Sequence, residues 1–147
     1  TPMRVFQILL ALSLVTFGLG ACGSGIYTPE TTNVALKADP SGVVGKFRIT
    51  VRGVVWHNDS LFLISDQNYR NPNAVVVMLD DDTVRDILRG RTQTAEQYFM
   101  GHEILATGLA RKIRIVVRNR EGNLTGASYE QVRIVIGDAA DLDVLSR

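Results

Sequence analysis

The chain has 147 residues, with 16 Lys and Arg against 15 Asp and Glu, and a single cysteine. A near-neutral total argues against strong non-specific attraction to nucleic acid. One cysteine excludes an intrachain disulfide and a cysteine-based zinc site, and the length predicts one domain behind an N-terminal leader.

Met3-Arg4 opens that leader as a short positive region, and Val5 to Leu19 follows as an apolar stretch interrupted by Gln7, Ser13, Thr16 and Gly18. It is shorter than the roughly 20 apolar residues of a spanning helix, and its flanks are those of a secretory signal. Next comes Leu19-Gly20-Ala21-Cys22. This run resembles the lipobox of bacterial lipoproteins. The resemblance implies cleavage before Cys22, a thioether to diacylglycerol at its sulfur, and N-acylation of the new terminus. Gly23 at the next position, rather than Asp, implies the outer membrane. The other reading of Cys22 is an ordinary residue beyond a type I cleavage site. Several acyl chains anchor stably where one does not, at ~0.8 kcal/mol per buried CH₂. The expected organisation is a signal over 1–21, a lipidated cysteine and flexible tether over 22–45, and a domain over 46–147 at the periplasmic side of the cell envelope. Removing the signal takes away Arg4 and no acid, leaving 15 charges of each sign.

Gly23 to Gly45 holds Gly, Ser, Thr, Pro29 and Pro40 without a sustained apolar period. Such a segment near a terminus is expected to be disordered, and a flexible chain of that length spans ~25 Å. Val34 to Leu36 is a candidate short strand within it.

From Lys46 to Trp56 the chain alternates, with Phe47, Ile49 and Val51 on one side and Lys46, Arg48, Thr50 and Arg52 on the other. That is the pattern of a half-buried strand. Parity changes at Gly53, which predicts a bulge and a bend. Asn58-Asp59 predicts a turn, Ser60 to Ser65 a second strand, and Asp66 to Asn73 a polar loop. Ala74 to Leu79 is apolar throughout, as in a strand covered on both faces. Thr83 to Leu88 reads as a helix capped by Asp, with Val84, Ile87 and Leu88 as its stripe and Gly90 as its stop. A second helical piece is expected over Ala95 to Phe99. Glu103 to Arg118 is a long strand, Arg120 to Ser128 a hairpin loop, Tyr129 to Ile136 the last long strand, and Asp141 to Leu145 a closing segment.

Three strands, a helix and two strands is the order of a five-stranded Greek-key OB barrel. Asn68-Tyr69-Arg70-Asn71-Pro72-Asn73 with Ala74 to Val77, Tyr98-Phe99-Met100-Gly101 with Ile104 to Gly108, and Val132 to Leu145 resemble bacterial OB-fold domains of unknown function. The fold expected is therefore all-β with one short helix, a five-stranded OB-like barrel. The fourth and fifth strands and their loop are longer than that pattern.

The chain carries no G-x-S-x-G, P-loop or dinucleotide fingerprint. His57 and His102 lack metal-ligand spacing and read as surface or turn residues. Asp80-Asp81-Asp82 reads as a strand end and helix cap, or as a hard-cation cluster that lacks the glycine and alternation of a calcium loop. A hydrolase would need two carboxylates such as Asp66 and Asp80 to converge. No catalytic residue, metal or cofactor is expected.

Lys112, Arg114, Arg118 and Arg120 share one strand parity, Lys46, Arg48 and Arg52 point away from the apolar side of the first strand, and Arg133 adds to them. They form either a solvated face that discourages edge aggregation or a patch for an anionic lipid or glycolipid, an acidic envelope protein or nucleic acid. The function expected is a membrane-anchored, non-catalytic OB module that binds a protein or anionic component of the envelope. Single-stranded nucleic-acid binding is the alternative. It is disfavoured because the second and third strands offer Phe62 as their one aromatic, while Trp56 and Tyr69 read as a core tryptophan and a loop-packing tyrosine.

Overall fold

The computed structural model describes residues 25–146. The expected signal and the lipobox through Cys22 lie outside the described residues. In chain order the elements are β1 (Ile26–Tyr27), α1 (Pro29–Ala38), β2 (Val43–Thr50), β3 (Gly53–His57), β4 (Ser60–Ile64), β5 (Val75–Asp80), α2 (Asp81–Leu88), α3 (Ala95–Phe99), β6 (Glu103–Arg118), β7 (Leu124–Ile136) and β8 (Leu142–Ser146), the last preceded by a 3₁₀ turn at Ala139–Asp141. The protein is thus mostly β with three helices, where the expected fold was all-β with one short helix and five strands; α3 falls on the further helical piece expected over Ala95 to Phe99.

The strands form one mixed sheet in the order β1-β2-β6-β7-β5-β4-β3, with β8 also paired to β6. β1 runs parallel to β2 and β5 parallel to β7, while the other pairs are antiparallel. No ladder of hydrogen bonds closes this sheet, contrary to the expected closed barrel. The chain itself bends it round. β2 and β3 are five strand spacings apart in the sheet, about 24 Å if it were flat, yet only Val51 and Arg52 separate them in sequence. Three residue steps reach ~10 Å, so the sheet must curl. The expected bend therefore falls at Val51–Arg52. It is held by Val51 N–H donating to the His102 carbonyl at 2.9 Å and Arg52 N–H donating to the Ile64 carbonyl at 2.8 Å.

Inside the curl, alternate residues of each strand meet. Phe47, Ile49, Leu61, Leu63, Val75, Val77, Ile104 and Ile134 are buried there, and Phe99 of α3 is buried among them. β5 is buried on both faces over most of its length, which accounts for its unbroken apolar run. α2 begins where Asp80 accepts the Thr83 N–H at 2.7 Å and presents Val84, Ile87 and Leu88 to the core. Asn58 and Asp59 both have positive φ, the geometry of a tight hairpin turn that asparagine and aspartate tolerate.

Two expectations about length are corrected. The tether assigned to residues 22–45 is not one from Gly25 onward. Tyr27 stacks on Phe47 with ring centroids 5.4 Å apart, and α1 buries Thr32, Asn33 and Leu36. Val34 to Leu36 is helix, not strand. Thr28 and Thr31 cap α1 reciprocally with Pro29 in its first turn, and the Asn33 side chain donates to the Asn73 carbonyl at 3.0 Å. The buried stripe of α1 has one large apolar residue, Leu36, so periodicity gave no helix signal. The second correction concerns the hairpin. The expected loop from Arg120 to Ser128 is mostly strand, because β7 starts at Leu124 and the turn is only Asn119–Asn123. A bulge at Thr125–Ala127 interrupts the pairing, where the Thr125 hydroxyl donates to the Val117 carbonyl at 2.9 Å. β6 and β7 thus extend beyond the core as a two-stranded arm. No helix among the described residues is long and apolar enough to cross a membrane.

Candidate functional site

Register decides which side chains share the outer face. Phe62 and Ile64 of β4 stand opposite Met78 and Val76 of β5, and Val76 stands beside Arg133 of β7. Farther along the arm, Gln131 and Tyr129 face Ile113 and Ile115. The arm curves so that Ile115 and Tyr129 meet Phe62, Ile64, Val55 and His57 around a groove of about 470 Å³. Ile64, Ala74 and Val76 form a small apolar cluster beneath it, with Phe62 packed alongside.

One wall is aromatic and cationic. Tyr69, 43% exposed, meets Tyr129 edge-on with centroids 6.0 Å apart. The Arg70 guanidinium lies 5.5 Å from the Tyr69 centroid and 5.8 Å from that of Tyr129. Arg133 sits over Phe62 at 5.2 Å, with its Nε–H donating to Gln131 Oε1 at 3.0 Å. Burial holds the Arg133 guanidinium below its ordinary pKa, against the opposing pull of Tyr129. Burial also raises the Tyr129 phenol, helped by Tyr69 and opposed by Arg70 and Arg133.

Asp66 organises the loop that carries Tyr69 and Arg70. Its carboxylate accepts the Asn68 N–H at 2.7 Å and the Asn71 side-chain amide at 2.9 Å. These two bonds, and more weakly Arg52, draw its pKa down against a small effect of burial. Asp80 is likewise lowered, by Thr83 at the start of α2.

No family model matches this chain, and no curated protein does. Among solved structures, the chain is similar to a provisionally assigned aspartyl-tRNA synthetase from Leishmania major Friedlin, with a TM-score of 0.45 and 7% identity. The match takes in 90% of this chain and 23% of that one.

The eight cations singled out from the sequence do not come together as one stripe. Lys46 and Arg48 lie opposite Thr107 and Leu105, on the outer face of β6. Lys112 and Arg114 have the parity of buried Ala110, so they project from the other face of that strand, out on the arm. Arg48 pairs with Glu103 at 3.1 Å and Lys112 with Glu130 at 3.5 Å. Arg114 donates to Ser128 and Arg118 to the Gly122 carbonyl, at 3.0 and 2.8 Å. Arg52 lies at the bend and Arg120 in the arm's turn. Arg133 alone of the eight lines the groove.

Asp66 and Asp80 do not converge. Asp80 stands opposite Ser60 at one end of β4, and Asp66 follows the other end, ~20 Å along the strand direction. In the acidic run, Asp80 caps α2 while Asp81 and Asp82 pair with Arg85. His57 contributes to the groove wall, and His102 sits at the entry to β6 with its Nδ1 3.1 Å from the Met100 carbonyl. Trp56, expected in the core, is 49% exposed on β3. It points away from the face that Val55 and His57 share. Sequence reasoning missed Tyr129, Gln131 and Arg70. The parity of β7 offered a signal, since Tyr129, Gln131 and Arg133 alternate with Val132 and Ile134. The approach of Tyr69 to Tyr129 is tertiary and left none.

Proposed function

We propose that this chain is an OB-type binding module that holds a single-stranded oligonucleotide in the groove between β3, β4, β5 and the β6–β7 arm. Counting β2 and β3 as one bent strand leaves a Greek key of five, with β1 and β8 as additions. The parallel β5–β7 pair and the helical connection from β5 to β6 support that reading. In such barrels the face of the second and third strands and the loop between the fourth and fifth take oligonucleotides and oligosaccharides, and the groove occupies the corresponding ground.

The observation that carries the reading is the ring set of Tyr69, Tyr129 and Phe62, interleaved with Arg70 and Arg133. Bases stack on such rings whatever their sequence, and guanidinium planes stack on both ring faces and bases. β4 and β5 supply Phe62 alone, but a loop and β7 complete the platform.

The test is fluorescence anisotropy of a labelled oligothymidylate titrated with the full chain at low and high salt. Saturable binding that weakens with salt is expected. Tyr69→Ala and Tyr129→Ala should each weaken it about fivefold to a hundredfold, the ~1–3 kcal/mol of a lost stacking platform. An absence of binding at low salt removes the proposal, and salt-independent binding of a neutral oligosaccharide would redirect it.

The resemblance of Leu19-Gly20-Ala21-Cys22 to a lipobox supports a second reading, a module anchored through Cys22 at the bacterial envelope and engaging a protein or anionic component there. Intact-mass measurement of the native product tests the anchor, since acylation adds the mass of the lipid and an unmodified thiol removes it. Retention on anionic vesicles without any oligonucleotide affinity would favour this reading over the first.

A further inference from the structure

We propose that Arg111 and Arg133 form a phosphate subsite at the rim of the groove and hold a phosphodiester of the strand whose bases lie against the tyrosines; the inference rests on the oligonucleotide reading above. The two arginines are direct cross-strand partners on β6 and β7. Side chains in that relation start ~5 Å apart, and like charges there destabilise a sheet. Two other strand cations, Arg48 and Lys112, meet acids, Glu103 and Glu130. None of the ion pairs formed among the described residues includes Arg111 or Arg133. The Arg133 guanidinium reaches across β5 to Phe62 and Arg111 stays exposed on β6; neither meets a carboxylate among the described residues, and a guanidinium suits phosphate because its donors form a planar fork.

Position selects the kind of anion. Arg133 is shared between the two environments, its plane over Phe62 inside the groove and its strand partner Arg111 exposed one strand farther out. Rings therefore lie on one side of Arg133 and a second cation on the other. A nucleic-acid strand has that division, with flat bases on one side and charged backbone on the other. A Gln131 bond on Arg133 Nε fixes the guanidinium, so little side-chain freedom is lost on binding.

Two labelled probes separate this subsite from the groove: an oligothymidylate, and an abasic strand with the same number of phosphates. Arg111→Gln should weaken both by a similar factor, about fivefold to tenfold at low salt, and flatten the dependence of log affinity on log salt by ~0.7 to 1. Tyr129→Ala should weaken only the oligothymidylate. Arg111→Lys should recover most of the salt slope, and equal melting temperatures confirm that the variants fold. Unchanged affinity and slope in Arg111→Gln would overturn the subsite even with the groove reading intact. Abasic-strand binding that depends on Arg111, without any gain from bases, would retain the subsite and sink the groove reading. Binding to anionic vesicles that depends on Arg111, with neither strand bound, would overturn the phosphodiester assignment in favour of a lipid headgroup.

Discussion

Replacing Leu36 by Ala asks whether the segment before Gly45 belongs to the folded unit. Leu36 is 3% exposed and belongs to the same buried cluster as Phe47 and Ile134. The substitution removes three carbons, a transfer loss of about 2.4 kcal/mol at ~0.8 kcal/mol per methylene. The cavity left behind adds to this, and buried Leu→Ala changes span ~2–5 kcal/mol. α1 packs on β2 and is tied to the loop between β4 and β5 by Asn33. It can settle partly into the space, so about 3 kcal/mol is expected. With a urea m-value near 1.5 kcal/mol/M, the unfolding midpoint should fall by about 2 M with m unchanged. Val34→Ala is the internal control, since Val34 is exposed on the same helix and should move the midpoint little. A Leu36→Ala shift no larger than that of Val34→Ala would mean that α1 contributes no packing, and the tether reading would return.

Other expected outcomes follow from single contacts. At Gly45 a methyl group would come within 2.8 Å of the Tyr27 ring, so Gly45→Ala should displace Tyr27 from Phe47 and cost about 1–3 kcal/mol in urea unfolding; an unchanged midpoint would show that β1 is not held there. Thr28→Ala removes the reciprocal cap of α1 and should lose about 1 kcal/mol, measured in the same assay. Asp66 and Asp80 have lowered folded-state pKa values, so their contributions to stability are present above the unfolded carboxyl pKa, about 3.9, and are lost as pH falls through the folded values. Asp80→Ala should therefore melt earlier than the parent chain at neutral pH, with the gap closing below about pH 4; a gap that widens in acid would contradict the sign. Asp66→Asn loses charge at the loop's organising contact, and it should weaken oligothymidylate binding while leaving the β4–β5 core intact, read by anisotropy beside far-ultraviolet circular dichroism.

Local chemistry alone determined a good deal of this protein. Alternation over Phe47, Ile49 and Val51, the unbroken apolar run of β5, the Asp80 cap and the Val84, Ile87 and Leu88 stripe each depend on neighbours within a few residues. Those segments are the strands and helix that their patterns predict. The Asn58-Asp59 turn was legible for the same reason. Thr28-Pro29 is a helix cap and first turn in local chemistry too, but the weak stripe of α1 hid the helix behind a loop-like composition. What no local pattern carries is partner and register. Strand parity grouped Lys112 and Arg114 with Lys46 and Arg48, and pairing then put them on opposite faces of the sheet, because Lys46 and Arg48 register with Thr107 and Leu105 while Lys112 and Arg114 keep the parity of buried Ala110. Tyr69 and Tyr129 are sixty residues apart, and only the curl of the sheet brings a loop and an arm together into one groove. Periodicity records which side of its own strand a residue takes, whereas a site depends on which strands the fold places beside it.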